Sequence, residues 1–492
     1  MEEYFKNMLK KIDSNIILDQ QQIEVIKDES KSLIVIAGAG AGKTTTMTAK
    51  VKYLIEKKGI SQKDILVISY TNKAVNELKY NINEILNFKI DILTFHKFAL
   101  ETIKRTGKKV KIIEKLEPII REIIKNENKR ELSRNVKFLL KKEKNSKKIE
   151  KYNNNLDFFV ASTVENICFI RTSDIDLKDI IKNTHNKKIK DYLKFLLIII
   201  EKYKSFMYDN NSFDFDELIY YATNLVNEKN NNYKYIIIDE YQDISQIRLN
   251  LIKKLKEKSN IIVVGDDWQS IYSFSGSNVK LFLDFKKEFN AKIIKLENTY
   301  RNSQELINIA GNFVMKDDKL IKKNLISFKR NTLPLKLYIY KKNLNSCLKK
   351  IIEEIIRNYG EEKNILILGR YKNDINMLNK ELFNINEFNI AYIRNEKIKI
   401  DFLTIHSSKG LGYDNVILLF NDLKSSKFPS DKKNNFFKSK VLKIKKDILE
   451  ERRLFYVAMT RTKNDFYIIV DSKNKSLFVK EIKKEAFLSK MK

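Results

Sequence analysis

Eight residues, Ala37-Gly-Ala-Gly-Ala-Gly-Lys-Thr44, restrict the possible folds more than any other segment of this chain. They follow an apolar run, Leu33–Ile36, and open a segment of helical periodicity, Thr44–Glu56. A Gly-rich turn between a strand and a helix points successive backbone N–H groups at one place, which makes a cradle for phosphate. It also requires a buried parallel strand whose C-terminal end faces the ligand, so the chain must contain an α/β layer. Backbone groups of Ala37, Gly38, Ala39, Gly40, Ala41 and Gly42 would line the cradle, with Thr45 in the first helical turn. Lys43 would reach the terminal phosphates of ATP, and the Thr44 hydroxyl would ligate Mg²⁺.

Further β-like runs fit this layer: Ile65–Ser69, Tyr235–Asp239, Ile261–Val264, Ile293–Leu296, Asn364–Leu368, Asp401–Ile405 and Asn415–Phe420. Most precede helical patterns such as Asn72–Leu86, the alternation expected of parallel sheets flanked by helices. The stretch 97–211 differs, being Lys-rich with helical patterns such as Lys187–Met207, and reads as a helical insertion. Asn/Lys clusters near 143–155, 229–232 and 431–440 read as surface loops. Glycine is scarce, 12 in 492 residues, yet Gly38, Gly40, Gly42, Gly265, Gly276, Gly410 and Gly412 gather in four short segments. Permissive residues kept in a Gly-poor chain mark places where the backbone needs them.

The run Tyr235-Ile-Ile-Ile-Asp239-Glu240 is an apolar strand ending in two acids. After a phosphate-binding loop, Asp239 would hold Mg²⁺ through water and Glu240 would polarise an attacking water. A carboxylate base beside the metal ligand favours hydrolysis over transfer to another acceptor. No Asn-Lys-x-Asp guanine reader is present, since Asn72-Lys-Ala-Val75 lacks the acid, so the nucleotide is ATP.

With Tyr241-Gln-Asp243 following the acids, an ordered set of segments becomes recognisable. It comprises Leu18-Asp-Gln-Gln-Gln22, Ser69-Tyr-Thr-Asn-Lys-Ala74, Thr94-Phe-His96 and Phe213-Asp-Phe-Asp-Glu-Leu218, then Gly265-Asp-Asp-Trp-Gln-Ser-Ile-Tyr-Ser-Phe-Ser-Gly276. Asn298-Thr-Tyr-Arg301, Thr404-Ile-His-Ser-Ser-Lys-Gly-Leu411 and Glu450-Glu-Arg-Arg-Leu-Phe-Tyr-Val-Ala-Met-Thr-Arg461 complete it. The chain resembles superfamily 1A helicases of the UvrD/Rep group, and within it the helicase IV type, over nearly its whole length. The resemblance implies an ATP-driven DNA helicase or translocase, moving 3′ to 5′ on single-stranded DNA and at single-strand/duplex junctions, in DNA repair or recombination.

It also implies two RecA-like domains, the first from 1–96 and 212–290, the second from 291–492, with the helical insertion at 97–211. By the same resemblance, Gln22 would read adenine, Tyr300 would pack on its ring, and Gln269 would sense the γ-phosphate. Arg301 and Arg461 resemble arginine fingers from the second domain, and Gly410 would let its backbone approach phosphate. Lys43, Asp239, Glu240, Gln269, Arg301 and Arg461 are then the catalytic set. Thr71, Asn72, Thr94, Phe95, His96, Trp268, Tyr272, Phe274, Arg370 and His406 fall on segments that contact DNA in the family, the aromatic rings as stacking platforms.

The chain departs from UvrD and Rep in places. Roughly 30 residues separate Arg370 from Asp401, far fewer than a domain, where those proteins carry the inserted 2B domain. Gly412 stands where UvrD places an acid after Lys-Gly-Leu. With the segment Leu18–Gln22 so early, the extra N-terminal region of helicase IV is expected to be missing, and with roughly 30 residues after Arg461 no room for a fused nuclease is expected. A second expectation is therefore a motor subunit of a larger complex, with a nuclease or repair protein as partner. The formal net charge of +32 suits a polyanion partner, although a composition crowded with Lys, Asn and Ile also fits an A/T-rich genome. Two cysteines, Cys168 and Cys347, supply neither a disulfide framework nor zinc spacing. With no apolar run near the roughly 20 residues of a membrane span and no signal-peptide pattern, a cytoplasmic location is expected.

Overall fold

Isoleucine and valine fill the runs read as strands, and in the computed structural model these runs pair into parallel sheets covered on both faces. The structure describes residues 2–143, 155–227, 231–341, 343–379, 382–386, 389–392, 398–420, 428–430, 435–444, 448–473, 476–484 and 487–490. In the first sheet the order is Asp91–Thr94, Ile65–Ser69, Tyr235–Ile238, Asn260–Gly265, Ser32–Ala37, Lys292–Leu296, parallel throughout. Consecutive residues of one strand serve opposite cores: Ile34 and Ile36 join one cluster, Leu33 and Val35 the other. A strand buried on both faces has to be apolar without alternation, which is why these runs read as unbroken.

The second sheet runs Phe383–Asn386, Asn389–Tyr392, Lys399–Thr404, Ile365–Gly369, Asn415–Phe420, Phe466–Asp471, Leu335–Tyr340, Phe487–Lys490. Its pairings are parallel except at the edge, where the first two strands form an antiparallel ribbon that continues onto the third. A short 3-10 helix, Lys372–Met377, and that ribbon, not a domain, occupy the described residues between Ile365–Gly369 and Lys399–Thr404. This is the two-domain α/β architecture expected from sequence.

Two expected boundaries move. The helix Phe95–Lys104 buries Phe95, Phe98, Ala99 and Ile103 in the first domain's core, so the insertion begins near Lys111 instead of residue 97. Its neck is a two-residue parallel pairing of Lys111–Ile112 with Ser212–Phe213. The strand Lys292–Leu296 pairs with Ser32–Ala37 and thus belongs to the first sheet, beyond the expected boundary at 290. The insertion is helical, with Glu117–Lys125, Lys129–Glu143, Asn155–Thr172, Leu177–Lys182 and Lys187–Asp209. In the last of these, Leu193, Leu196, Ile200, Tyr203 and Met207 recur at three- and four-residue spacing and are buried, while Asn186 caps the first turn.

Of the three expected surface loops, 144–154 and 228–230 lie outside the described residues, as do 431–434. The remainder of the third does not behave as a surface loop. Phe436 and Phe437 are buried in the core of the insertion, where Phe436 meets Phe138 edge-on at 5.5 Å. Lysines around an aromatic pair hid an anchor. Among the described residues no helix is long and apolar enough to cross a membrane.

A candidate nucleotide cleft and nucleic-acid face

The Gly-rich turn leaves the strand Ser32–Ala37 and enters the helix Lys43–Glu56, whose first turn carries Lys43, Thr44 and Thr45, all half-buried. Gly40 has φ +74°, and a Cβ there would stand 2.6 Å from Arg301 Cβ. Glycine at this position therefore serves both the turn and the close approach of the segment that follows the first sheet. That segment is locked on: Tyr300 N–H donates to Gly40 O at 3.0 Å, and Thr299 Oγ1 donates to Ala39 O at 2.7 Å.

Asp19 caps the helix Gln20–Lys27, and Gln22 returns a bond from its side chain to the Asp19 N–H at 3.0 Å. Gln22 Nε2 also donates to Ala41 O at 3.4 Å, and the Tyr300 hydroxyl donates to Asp19 Oδ2 at 2.6 Å. Gln22 and Tyr300 thus come together at one edge of the phosphate loop, with the Tyr300 ring 42% exposed and open to an incoming planar group.

Asp239 and Glu240 follow the strand Tyr235–Ile238, and Glu240 takes the left-handed conformation at φ 49°. Burial, and then the Glu240 charge, push the Asp239 carboxyl above its ordinary range. Burial also works against charge on Glu240, but Lys43, Lys409 and the Gln242 amide outweigh it and hold this carboxyl low. Lys43 Nζ lies 3.4 Å from Glu240 Oε1, and Lys409 Nζ 3.8 Å from Glu240 Oε2. A buried acid strained toward protonation by a neighbouring carboxylate is the donor a divalent cation would relieve. Asp239 and Thr44 therefore fit Mg²⁺ shared with phosphates.

From the second domain, Arg461 Nη2 donates to Gln269 Oε1 at 3.1 Å, and Arg301 Nη1 donates to Thr460 O at 3.4 Å. Burial, then repulsion from Arg301, bring Arg461 down to about 9, with the Glu240 and Asp266 charges opposing the shift. Lys409 donates to Gln269 O at 2.8 Å and pairs with Asp243 at 2.6 Å. The structure so brings together Lys43, Asp239, Glu240, Gln269, Arg301 and Arg461, and adds Lys409, which was quoted in a motif but given no role. Gly410, at φ +83°, has open space on its Cβ side.

The loop from Asp266 to Gly276 sends its side chains three ways. Gln269 enters the cleft. Tyr272 and Phe274 form an aromatic group with His406: Phe274 lies 5.6 Å from the His406 ring and is 63% exposed. Trp268 turns inward, which corrects its expected place on the DNA. It is 2% exposed, donates through Nε1 to Ile321 O at 3.0 Å and meets Tyr456 edge-on, leaving no face for a base. Phe95 is corrected likewise, being buried against Tyr70 and the core. Its neighbour His96 instead lies 4.9 Å from Phe215, an exposed ring at the start of the helix Phe215–Leu225 that sequence reasoning passed over although it lies in a quoted motif.

Thr71 and Thr94 cap the helices Asn72–Lys79 and Phe95–Lys104, each accepting a backbone N–H at 3.2 Å, and Asn72 is exposed beside Thr71. Arg370 is gripped by Glu451 through two bonds of 3.2 and 2.6 Å and lies over the Tyr371 ring.

Two RecA-like layers facing each other across a phosphate loop, with paired acids on one side and two arginines on the other, define a P-loop NTPase of helicase architecture. Residues 18–290 match the UvrD/REP helicase N-terminal domain, and residues 392–473 match the UvrD-like helicase C-terminal domain. The chain belongs to the UvrD/REP helicase family. It is similar to DNA helicase IV of Escherichia coli, 28% identical, over 97% of this chain and 72% of that protein. It is also 31% identical to the ATP-dependent DNA helicase Rep of Buchnera aphidicola over 74% of this chain and 55% of that one. A probable DNA helicase II homolog of Mycoplasma capricolum is likewise 31% identical, over 75% of this chain and 51% of that protein, so the chain spans about half the length of the latter two.

Proposed function

We propose that this chain is an ATP-dependent DNA helicase or translocase that moves 3′ to 5′ along single-stranded DNA and opens duplex at junctions during repair or recombination. One observation carries the reading. Gln269, bonded to Arg461 in the cleft, and Phe274, exposed on the opposite side, belong to one short loop. A change at the phosphate end of that loop reaches the rings on which bases would stack.

In this reading the backbone from Ala37 to Gly42 holds phosphates, Gln22 and Tyr300 hold adenine, and Lys43 steadies the terminal phosphates. Mg²⁺ bound by Thr44 and Asp239 would supply positive charge to the phosphoryl oxygens. Glu240, kept ionised by Lys43 and Lys409, orients the attacking water and takes up its proton. Arg301 and Arg461 balance charge that develops on the phosphoryl group. A phosphoryl group between them would offset their mutual repulsion and so favour a closed cleft. Thr71, Asn72, Thr94, His96, Phe215, Tyr272, Phe274 and His406 form the DNA side, and Arg370 holds its rim through Glu451.

The short ribbon between Ile365–Gly369 and Lys399–Thr404 favours a second reading, a motor subunit that works with a nuclease or repair partner and unwinds little by itself. Both readings share the motor.

The test is steady-state ATP hydrolysis with and without single-stranded DNA, for the wild type and Glu240→Gln. Hydrolysis should rise with DNA and fall by about 10²–10⁴-fold in the variant, the usual worth of a general base. Weak hydrolysis indifferent to DNA would overturn the motor reading.

A further inference from the structure

The loop that carries Gln269, Tyr272 and Phe274 is held from the second domain at successive points along its backbone. Lys409 Nζ donates to Gln269 O at 2.8 Å, and Arg453 Nε donates to Ser270 O at 2.7 Å. Glu450 accepts from Ser273 N–H at 2.8 Å through Oε1 and from the Ser273 hydroxyl through Oε2. Ser273 stands between the two rings, Tyr272 and Phe274, whose centroids are 5.9 Å apart.

Glu450 and Arg453 lie on one helix, Ile448–Met459, and Arg461 follows its end directly. From Glu450 to Met459, the last helical residue, the axial rise is about 14 Å. The helix therefore lies along the loop as a strut, with Arg461 on Gln269 at one end and Glu450 on Ser273 at the other. Lys409 and Arg453 each have a buried carboxylate to satisfy as well, Asp243 and Asp317. Both carboxylate oxygens of Glu450 meet one exposed serine at the stacking end, with a charge-assisted bond to each donor.

We propose that Glu450 is a positioning residue that sets the base-stacking loop according to the position of the arginine-bearing helix, through the Ser273 N–H and hydroxyl. This rests on the motor reading above. When the helix moves toward an anion at Arg461, Glu450 moves with it and takes Ser273, and with it Tyr272 and Phe274, to a new place relative to the DNA.

The measurement is the dissociation constant of a fluorescent oligo-dT, with and without a non-hydrolysable ATP analogue and Mg²⁺, in the wild type, Glu450→Ala, Ser273→Ala and the double variant. In the wild type the analogue changes the constant, and that change should shrink by about fivefold in Glu450→Ala, a modest allosteric coupling, and by less in Ser273→Ala, which keeps the N–H bond. The double variant should match Glu450→Ala, because with the carboxylate gone the hydroxyl has no bond left to lose. Melting temperatures should stay together, which separates lost coupling from lost folding. Should Glu450→Ala fail to fold, Ser273→Ala reads the hydroxyl half of the link from its exposed side. The proposal is overturned if the analogue's effect is undiminished in Glu450→Ala or, where that variant does not fold, in Ser273→Ala, or if the two losses add. If wild-type hydrolysis ignores single-stranded DNA, the motor reading falls first and this inference with it. If hydrolysis responds to DNA and the variants keep the analogue's effect, only the role of Glu450 falls.

Discussion

Burial, and then the nearby Arg248, bring His96 down to about 4, while burial, and then Arg370, do the same for His406. Both rings are therefore neutral on the proposed DNA face at ordinary pH, and they offer hydrogen bonds and flat surface, not charge. The sign for stability follows. The folded values lie below the ordinary 6.5, so the unfolded chain binds more protons between about 4 and 6.5. The stability these rings contribute is complete above the ordinary value and is lost as pH falls through that window. Urea midpoints should decline from pH 7 toward pH 5, and His406→Asn should weaken the decline. Oligo-dT affinity should show no histidine step between pH 8 and 6, and a rise there would mean that the rings become charged on DNA. At this scale the gathering of the cleft residues was legible, because phosphate chemistry dictates residue type and spacing together. The aromatic ones were only half legible: Trp268 and Phe95 sit in the same motifs as Phe274 and His96, and residue type does not reveal which way a ring turns.

The loop from Asp266 to Gly276 shows what an element adds to its residues. Trp268 anchors it in the second domain's core, with Lys323 over the indole at 4.7 Å and also paired with Asp266 and Asp267. Phe274 stands out in solvent at the other end. Opposite effects follow from substituting the two. Trp268→Ala should cost roughly 3–5 kcal/mol of stability through the cavity it leaves. Phe274→Ala should leave the denaturation midpoint in place and weaken oligo-dT binding by about 1–3 kcal/mol, the worth of one base stack. Denaturant titration and anisotropy on the same two proteins decide it, and a destabilised Phe274→Ala would place that ring in the fold instead of on the track. Among the elements, most strands buried on both faces were legible as unbroken apolar runs, although Phe466–Asp471, just as apolar and just as buried, was passed over. Asp91–Thr94 was too short to stand out, and Leu335–Tyr340 mixes lysine and tyrosine into its pattern because Lys336 is satisfied inside by Glu354 and Asp465.

For the whole molecule, the domains are joined by more than the cleft. Residues 435–444, from the second α/β domain's part of the chain, dock into the helical insertion: Asn435 Nδ2 donates to Asn166 Oδ1 at 2.9 Å, and Lys438 Nζ sits 4.1 Å over the Phe169 ring. The helix that receives them, Asn155–Thr172, ends against the stacking loop, where a side chain at Gly276 would collide with Thr172. The insertion is thus linked both to the second domain and to the proposed DNA face, a connection that composition concealed by surrounding Phe436 and Phe437 with Lys and Asn. Phe437 is buried in that core, and Phe437→Ala should cost roughly 3–5 kcal/mol locally. Because the lost contacts lie in the insertion, the loss should be local as well. Amide exchange should accelerate in Lys129–Glu143 and Asn155–Thr172 and stay unchanged in the strands Ser32–Ala37 and Asn260–Gly265. Acceleration spread evenly over both sheets would instead mean that insertion and domains unfold as one unit, and no acceleration would mean that the anchor contributes nothing to holding them together.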